Sequence, residues 1–408
     1  MTFRLIFLLW CAGAALQAQT TIGLVAHYRF DGDFTDATGN TGNTGIPLGT
    51  PEFVCGVDGQ AVLLDGGNDQ VRVPVGAGVN REFDTEDFTV SFYFKSVGFD
   101  GIQYLLSKRD TACADPRKFY LRYVPNARTF NAFLAQDEEK DAEVIRSINN
   151  FSCWQHIVLV RDGLRVKLYL NGRFIGEDGT ASRVDIETPG DLYIGGSTCL
   201  TGVERPFAGL IDEMRIYNRA LDEDEITGLF LRPDQILTND TIMFLNTALQ
   251  IDLANTCGTS FLRTPDTDVM LPTDAEPIID PSEAGQRTYY VQISDQVSAC
   301  VATDSVQVTV IDPDELPCEA FLPRAFTPNG DNLNDTYGIS NPYAIEELLS
   351  FEIFDRWGGQ VFYTEDPFER WDATFHGDKV MPGVFLWRVR YRCDGAEQVK
   401  SGNVTVLR

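Results

Sequence analysis

Hydrophobic and polar positions alternate along much of the chain, in short runs rich in valine, isoleucine, tyrosine and phenylalanine. Examples are DFTVSFYFK, HIVLVRDGLRVKLYLNGRFIG and SVQVTVI. Runs with a period of two residues, separated by glycine, asparagine and aspartate, are typical of strands in β-sandwiches. The pattern therefore predicts an all-β protein.

Turn and helix signals refine this picture. Asp162-Gly163 and Asn171-Gly172 stand between alternating runs, and such dipeptides are the strongest short-range signal for a β-hairpin. Helix signals are scarce. They predict two short helices, in ALDEDEITGLF near residues 220–230 and in AIEELLS near residues 344–350.

Two proline-containing stretches, Leu231–Gln235 and Asp312–Pro317, interrupt the strands. Proline cannot donate to a strand ladder, so both stretches mark domain boundaries. A chain of 408 residues with 43% hydrophobic content can bury several cores. We predict a signal peptide at residues 1–18, followed by β domains at 19–232, 233–314 and 315–408.

The N-terminus, MTFRLIFLLWCAGAALQAQT, has the layout of a secretory signal peptide. Arg4 precedes an apolar run from Leu5 to Leu16, and Ala18 marks the expected cleavage point. The run is too short to span a bilayer, and no later segment reaches the roughly 18 apolar residues of a membrane helix. We expect an exported protein without a membrane-spanning segment.

The acidic composition limits the partners. The chain has 60 acidic and 33 basic side chains, which gives a formal net charge of −27. Such a surface repels phosphate backbones, so nucleic-acid binding is disfavoured. The charge suits divalent cations or basic partners, or it only keeps an exported protein soluble.

Eight cysteines follow the signal peptide, and in an exported chain they are expected to form disulfides. Their spacing suggests the pairs Cys257–Cys300 and Cys318–Cys393, each within one predicted domain. The other four cysteines can pair in three ways. We favour Cys113–Cys199 with Cys55–Cys153.

The first β domain resembles the laminin-G-like, concanavalin A-like jelly rolls of secreted bacterial proteins. The matching pieces, in the order of that family, are LVAHYRFDGDFTDATGN, GVDGQAVLLDGGNDQVRVP, FTVSFYFK, WQHIVLVRDG with RVKLYLNG, and FAGLIDEMRIYNRALDEDEI. The resemblance implies a jelly-roll sandwich. It also implies binding of carbohydrates or proteins, although for some members no ligand is known.

Many members of that family hold a structural calcium ion. Here the oxygen ligands could come from one loop, with Asp31, Asp33, Asp36 and Asn40. The resemblance adds Asp212 from the last strand. The competing interpretation is that these residues only form turns.

The same jelly roll also occurs in laminarinase-type glycoside hydrolases, whose retaining carboxylates lie about 5 Å apart. In EFDTED, Glu82, Asp84 and Glu86 would share one face of a strand, but the resemblance places a turn there. The sequence contains no G-x-S-x-G, P-loop or HExxH motif. We therefore predict a binding protein rather than an enzyme. Its glycan site would lie on rim loops. Tyr104, Phe119 and Tyr120 are candidates for this site, but they are equally good candidates for the core.

The middle segment, residues 233–314, resembles Ig-like or PKD-like repeats that act as spacers in bacterial surface proteins. DTIMFLNTALQIDLAN and RTYYVQISDQVSACVATDSVQVTVI carry its alternating strands. It offers no candidate site.

The last segment resembles the type B, gliding motility-associated sorting domain of type IX secretion, an Ig-like sandwich. The matching pieces are LPRAFTPNGDNLNDTYGI, FEIFDRWGGQVFYTED, ERWDATFHGDKVMPGVFLWRVRY and VKSGNVTVLR. The resemblance implies recognition by the type IX export machinery. The residues taken from its motifs are Asn329, Gly330, Asp331, Asp335, Trp357, Gly358, Gly402, Val404 and Arg408. Trp357 and Trp371 are expected in the core, and the terminal strand from Gly402 is our hypothesis for the exporter contact.

The stretch AFTPNGDNLNDTYGI also looks like a calcium loop. A loop of the EF-hand type needs a bidentate glutamate near its twelfth position. Counting from Asn329 reaches Ser340, and counting from Asp331 reaches Pro342, so that pattern fails.

Together these features predict a secreted or cell-surface protein that reaches the outer surface through the periplasm. Its expected role is adhesion or carbohydrate binding by the first domain, with an extracellular protein as another possible ligand. The alternatives are a secreted glycoside hydrolase or its accessory, or a structural component of the surface or matrix. Association with the outer-membrane surface is compatible with this assignment.

Overall fold

The computed structural model describes residues 20–83, 86–110, 113, 115–149, 152–329 and 334–407. It is nearly all β, with 47% strand and 6% helix, which confirms the predicted fold class. The chain forms two compact units. The first runs to Asp240 and adds Leu249–Ile279 and Thr288–Gln307, and the second comprises Thr241–Ala248, Asp280–Arg287 and Val308–Arg408. The predicted signal peptide lies outside the described residues.

Sixteen strands form the first domain in the described part of the chain. They are β1 (Leu24–Tyr28), β2 (Ile46–Leu48), β3 (Glu52–Cys55), β4 (Gln60–Asp65), β5 (Gln70–Val73), β6 (Phe88–Ser96), β7 (Ile102–Arg109), β8 (Lys118–Val124), β9 (Thr129–Ala135), β10 (Asp141–Ser147), β11 (Gln155–Asp162), β12 (Arg165–Leu170), β13 (Arg173–Gly179), β14 (Leu192–Ile194), β15 (Glu204–Pro206) and β16 (Ala208–Tyr217). Short 3₁₀ helices lie at Thr41–Asn43, Gly78–Phe83 and Pro125–Ala127.

These strands form two sheets that pack face to face. The first sheet has the order β13-β12-β11-β6-β16-β4-β3, with β1 on β16, and the second has the order β10-β9-β8-β7-β14-β5-β2, with β15 on β7. The core between them takes alternate residues of each strand, such as Phe92 of β6 and Leu121 of β8. This is the predicted jelly-roll sandwich.

The outer face of the first sheet is buried as well. Helix α1 (Glu223–Gly228) covers part of it and begins with a capping box formed by Asp222 and Glu225. The Tyr93 hydroxyl of β6 donates to the carbonyl of Leu229 (2.8 Å) and accepts from the amide of Leu231 (2.6 Å). The helix predicted near residues 220–230 is therefore confirmed.

Both predicted hairpins are also present. The turn after Asp162 joins β11 to β12, and Gly163 has φ 61°. Asn171 and Gly172 join β12 to β13 with φ 49° and 74°. Two successive residues with positive φ match the right-handed twist of the flanking strands, which explains the Asn-Gly sequence.

The middle segment carries seven strands among the described residues. They are β17 (Thr241–Phe244), β18 (Leu249–Gln250), β19 (Ser260–Thr264), β20 (Val269–Met270), β21 (Ile278–Ile279), β22 (Gly285–Ser294) and β23 (Val301–Ile311). One sheet has the order β17-β23-β22-β19, and a smaller one has the order β18-β21-β20.

Two of the predicted disulfides are wrong. Cys55 pairs with Cys257 and Cys153 pairs with Cys300, each with Cα atoms 5.7 Å apart, instead of Cys257–Cys300 and Cys55–Cys153. Both observed bridges link the first domain to the middle segment. Sequence spacing carries no information on how two segments pack, and spacing alone therefore favoured pairs within a domain. The predicted pair Cys113–Cys199 is confirmed.

The last seven strands form the C-terminal domain. They are β24 (Ala325–Phe326), β25 (Glu347–Phe354), β26 (Gln360–Thr364), β27 (Thr374–Phe375), β28 (Asp378–Lys379), β29 (Gly383–Cys393) and β30 (Ala396–Val406). The main sheet has the order β24-β30-β29-β25-β26. Its core contains Trp371, Phe385 and Val404, and the predicted disulfide Cys318–Cys393 is confirmed.

Two expectations for this domain are wrong. AIEELLS forms no α-helix, because Pro342–Ala344 is a 3₁₀ turn and Glu347 begins β25, which pairs with β29. Trp371 is 2% exposed, as expected, but Trp357 is 87% exposed. The Asp355 carboxylate accepts the amides of Trp357 and Gly359, both at 2.8 Å, and this tight turn leaves the indole outside the core.

Within the described ranges, no helix has the length and apolar character needed to cross a membrane.

Candidate functional site

The second sheet of the first domain presents a patterned outer face. Because side chains alternate across a strand, residues next to the core residues of β8 and β9 point away from the core. On β8 these are Lys118, Tyr120 and Arg122, which alternate with the core residues Phe119, Leu121 and Tyr123. We call this surface the outer face.

The strand registers align the outer-face residues into rows that run across the strands. The central row crosses six strands and consists of Arg72, Tyr193, Ser107, Tyr120, Phe133 and Glu143. A second row contains Tyr104, Arg122, Asn131 and Ile145. Neighbouring strands are about 4.8 Å apart, so adjacent members of a row are in contact range.

Three aromatic rings meet on this face. Tyr120 stacks on Phe133 with ring centroids 5.1 Å apart and an interplanar angle of 21°. Tyr104 meets Tyr120 edge to face, with centroids 5.6 Å apart. Phe133 is half-buried, whereas Tyr104 is covered by its neighbours. The accessible part of the cluster is therefore at Phe133, since Tyr120 is also buried, at 8% exposed.

Arg122 is fixed among these rings. Its guanidinium carbon lies 4.0 Å from the centroid of the Tyr120 ring, a cation–π distance. One Nη donates to Glu204 (2.9 Å), and the other donates to the Tyr120 hydroxyl (2.9 Å). A guanidinium with this many partners is held in one orientation.

Glu204 is the carboxylate that organises the group. It lies on β15, which pairs in parallel with β7, and it accepts from Arg122 and from the Tyr104 hydroxyl at 2.9 Å. Burial alone would raise the pKa of Glu204. Hydrogen bonds from Thr201 and Tyr104 and the charge of Arg122 outweigh burial, so the net shift of that pKa is downward. Burial raises the pKa of Tyr104 to about 12, so its hydroxyl stays a donor.

The segment between β14 and β15 forms a wall beside this cluster. The Ser107 hydroxyl donates to the carbonyl of Gly196 (2.7 Å), and Cys113–Cys199 ties the segment to the β7–β8 connection. The outer face of β8 and β9 and the segment between β14 and β15 together make a polar and aromatic surface. Binding sites for small molecules combine apolar contact with a few oriented polar groups in this way.

The sequence prediction found part of this surface. Phe119 is in the core, whereas Tyr104 and Tyr120 belong to the outer face. The surface lies on a sheet, while the prediction placed a glycan site on rim loops. Arg122, Phe133 and Glu204 were missed. The alternation in KFYLRYV and TFNAFLA would have placed Arg122 and Phe133 on the face of the sheet that points away from the core.

The residues predicted to bind calcium are in turns and on a buried strand. Asp33 accepts the amide and hydroxyl of Thr35, at 2.9 and 2.6 Å. Asn40 accepts the amide of Gly42 (3.1 Å). Asp31 accepts the amide of Gln60 (2.8 Å) and forms an ion pair with Arg29 (3.1 Å).

The other two are buried. Asp36 accepts from the amides of His27 and Thr38 and from the side chains of Thr38 and Asn43, at 2.8 to 2.9 Å. Asp212 accepts the amides of Val57 (2.6 Å) and Glu213 (2.7 Å). Burial, followed by the charge of Glu213, raises the pKa of Asp212 to about 8.

This donor set does not fit a calcium ion in the arrangement of the structure. The oxygens already accept hydrogen bonds from the protein, and within the described residues no group of three or more His, Cys, Asp or Glu is placed to hold a metal. Calcium binding stays a prediction, and no step below depends on it.

Of the three carboxylate residues of the hydrolase alternative, the two that the structure describes do not lie on a strand. Glu82 belongs to the 3₁₀ turn Gly78–Phe83, and Glu86 lies in a bend before β6. Asp84 is outside the described residues.

The predicted sorting residues divide into surface and core positions. Asn329 is exposed, Asp335 is half-buried and Gly358 occupies a positive-φ turn position (85°) beside Trp357. Val404 is fully buried. Gly330, Asp331 and Arg408 lie outside the described residues. The role of these residues in export stays a prediction.

The structure explains why position 402 is occupied by glycine. It lies opposite Trp387 in the β29–β30 pair, and a β-carbon at this position would be 2.4 Å from the indole. Only glycine lets the ring lie flat over the strand.

Two parts of the chain match known families. Residues 65–227 match Laminin_G_3, described as the concanavalin A-like lectin/glucanases superfamily. Residues 320–406 match the CHU_C type IX secretion signal domain. A comparison with curated protein sequences finds no significant match.

Three solved structures are among those similar to part of this chain. Domain 4 of AbnA, a GH43 extracellular arabinanase from Geobacillus stearothermophilus in complex with arabinotriose, is 26% identical, with 51% of this chain and 98% of that chain covered and a TM-score of 0.40. The CBM40 of Ruminococcus gnavus IT-sialidase bound to alpha2,3 sialyllactose is 22% identical, with 42% and 96% covered and a TM-score of 0.38. A Trypanosoma rangeli sialidase complex is 20% identical, with 52% and 33% covered and a TM-score of 0.40.

All three TM-scores are below 0.5, so the assignment rests on the family matches. The CHU_C domain indicates export to the cell surface or the extracellular space. The chain therefore combines a laminin-G-like domain of the concanavalin A-like superfamily with a type IX secretion signal domain.

Proposed function

We propose that this exported protein is a non-enzymatic carbohydrate-binding protein and that the outer face of the second sheet is its glycan site. The observation that carries the proposal is the cluster of Tyr120, Phe133, Arg122 and Glu204. A sugar ring has apolar C–H faces and hydroxyl groups at its edge. The cluster offers aromatic surface beside an oriented guanidinium and carboxylate, which suits both features.

Fixed side chains favour binding because less conformational freedom is lost when the ligand arrives. Arg122 and Tyr104 are already held by Glu204 before any ligand binds. The predicted calcium ligands are in other parts of the domain and bond to the protein itself. We therefore expect glycan binding to be unaffected by a chelator.

The test is a glycan microarray probed with the disulfide-intact mature chain. Phe133→Ala should weaken binding about tenfold, because an aromatic contact is worth about 1.5 kcal/mol. Phe174→Ala is the matched control, since Phe174 is an exposed aromatic residue on β13 of the other sheet. Equal loss in both variants, or no binding to any glycan, would contradict the proposal.

Hydrolysis is tested on the same glycans. Chromatography of bound oligosaccharides after long incubation should return them uncleaved. Release of shorter products by the wild-type chain would instead support the glycoside hydrolase alternative.

A further inference from the structure

A pair of cations borders the aromatic cluster on the outer face. Arg109 at the end of β7 lies opposite Lys118 at the start of β8. Both side chains are half-buried. Like charges directly opposite each other on neighbouring strands destabilise a sheet, so this pair needs compensation.

The described residues give these two cations no carboxylate partner in an ion pair. Arg109 donates to the carbonyl of Cys113 (3.3 Å), and the Lys118 ammonium lies 5.6 Å from the centroid of the Phe133 ring. The Nε of Arg109 is buried without a hydrogen-bond acceptor. By contrast, Arg122, which lies on β8 with Lys118, is paired with Glu204.

Charged groups of both signs act on Lys118. Glu138 and Glu204 act on Lys118 in the opposite direction, yet burial, Arg109 and Arg122 together lower the pKa of Lys118. Asp141 of β10 lies in the same row as Arg109 and Lys118, two strands from Lys118 and separated from it by Ala135, and Glu143 lies in the central row. Two adjacent cations without a carboxylate in an ion pair, on a chain with a net charge of −27, suit a negative ligand.

We infer that the glycan recognised by this face is anionic, with a carboxylate or sulfate group that lies between Arg109 and Lys118 while its sugar ring contacts Phe133. This inference rests on the proposed function, because it names the class of glycan for the same site. Charge-assisted hydrogen bonds to the anion would give both cations the partner that the protein does not supply.

The experiment compares sugars that differ only in charge. Oligogalacturonate and its methyl ester test a carboxylate, and dextran sulfate and dextran test a sulfate. The intact chain is titrated with each at low and at physiological salt. The anionic member of at least one pair should bind about tenfold more tightly than its neutral counterpart, as one charge-assisted hydrogen bond predicts, and the difference should shrink with salt.

The variant R109Q/K118Q should lose this preference and bind both members of a pair alike. R165Q/K167Q removes the same charge from β12 of the first sheet and should keep the preference. Thermal unfolding checks that both variants are folded.

Equal affinity for charged and neutral sugars, or a preference that survives in R109Q/K118Q, would overturn the inference and leave the glycan site in place. Failure of every glycan to bind, on the array as well as in these pairs, would instead contradict the proposed function itself, and the inference with it.

Discussion

Lys95 of β6 forms a buried ion pair with Asp295 of the middle segment. The two side chains are 4% and 8% exposed. Asp295 also accepts the amides of Val297 and Ser298, both at 2.8 Å, and the Lys95 ammonium lies 5.7 Å from the centroid of the Trp154 ring. The part of the middle segment that belongs to the first compact unit is therefore packed against the jelly roll, in addition to being linked to it by disulfides.

Breaking this buried ion pair should lower the free energy of unfolding much more than breaking an exposed ion pair would. Lys95→Met and Asp295→Asn should each lower the free energy of unfolding by about 3 kcal/mol, because each leaves its partner poorly compensated in a buried site. The double variant should lose at least about 1 kcal/mol less than the sum of the two. Urea denaturation of the oxidised chain measures all four proteins, and strictly additive losses would show that the two groups are not coupled.

The disulfide pattern is directly testable. Proteolysis of the unreduced chain, followed by mass spectrometry, should recover peptides that join Cys55 to Cys257 and Cys153 to Cys300. A peptide joining Cys257 to Cys300 would contradict the structure. Replacing Cys153 and Cys300 together by serine should lower the free energy of unfolding by about 2 to 5 kcal/mol.

His156 should make the protein sensitive to acid. It stacks between Tyr93 and Phe230, and its Nε2 lies 2.7 Å from the Ser91 hydroxyl. Burial, followed by the charge of Arg215, lowers the pKa of His156 from 6.5 to about 3. Between these values the unfolded chain binds a proton that the folded chain does not. The stability present above pH 6.5 is therefore lost as the pH falls toward 3, by up to about 1.4 kcal/mol per pH unit.

The comparison that isolates this effect is the double variant His156→Phe/Ser91→Ala, which removes both polar partners together. Its urea midpoint should fall less steeply than that of the wild type between pH 6.5 and 4. Asp212, whose pKa is raised to about 8, has the opposite sign: its contribution falls as the pH rises from about 4 to 8. It is present in both proteins and cancels in the difference. Parallel pH profiles would contradict the assignment to His156.

Two tryptophans of the signal domain should respond very differently to truncation. Trp371 is in the core, and Trp371→Ala should cost about 3 to 5 kcal/mol. Trp357 is exposed, and Trp357→Ala should change the free energy of unfolding by less than about 0.5 kcal/mol. Equal destabilisation in chemical denaturation would mean that Trp357 is packed after all.

Local patterns in the sequence predicted the local structure well. The Asn171-Gly172 turn, helix α1 and strand β6 all follow from a few neighbouring residues and were confirmed. AIEELLS failed because seven residues are too few to separate a helix from a strand, and its pairing with β29 decides the outcome.

Relations between distant segments were beyond the sequence. The cysteine pairs that join the first domain to the middle segment depend on packing, which spacing does not encode. The same holds for the candidate glycan site. Tyr120 and Arg122 are two residues apart, but Glu204 reaches them only because β15 pairs with β7.

The position of the terminal strand limits how export can be studied. Strand β30 lies between β24 and β29, and Val404 and Val406 at its end are buried. Deleting the segment from Gly402 would open the core of the signal domain, and secretion could fail through misfolding without any loss of a recognition contact. Point substitutions at exposed positions that leave the unfolding midpoint unchanged would separate an address that the exporter reads from a domain that merely has to fold.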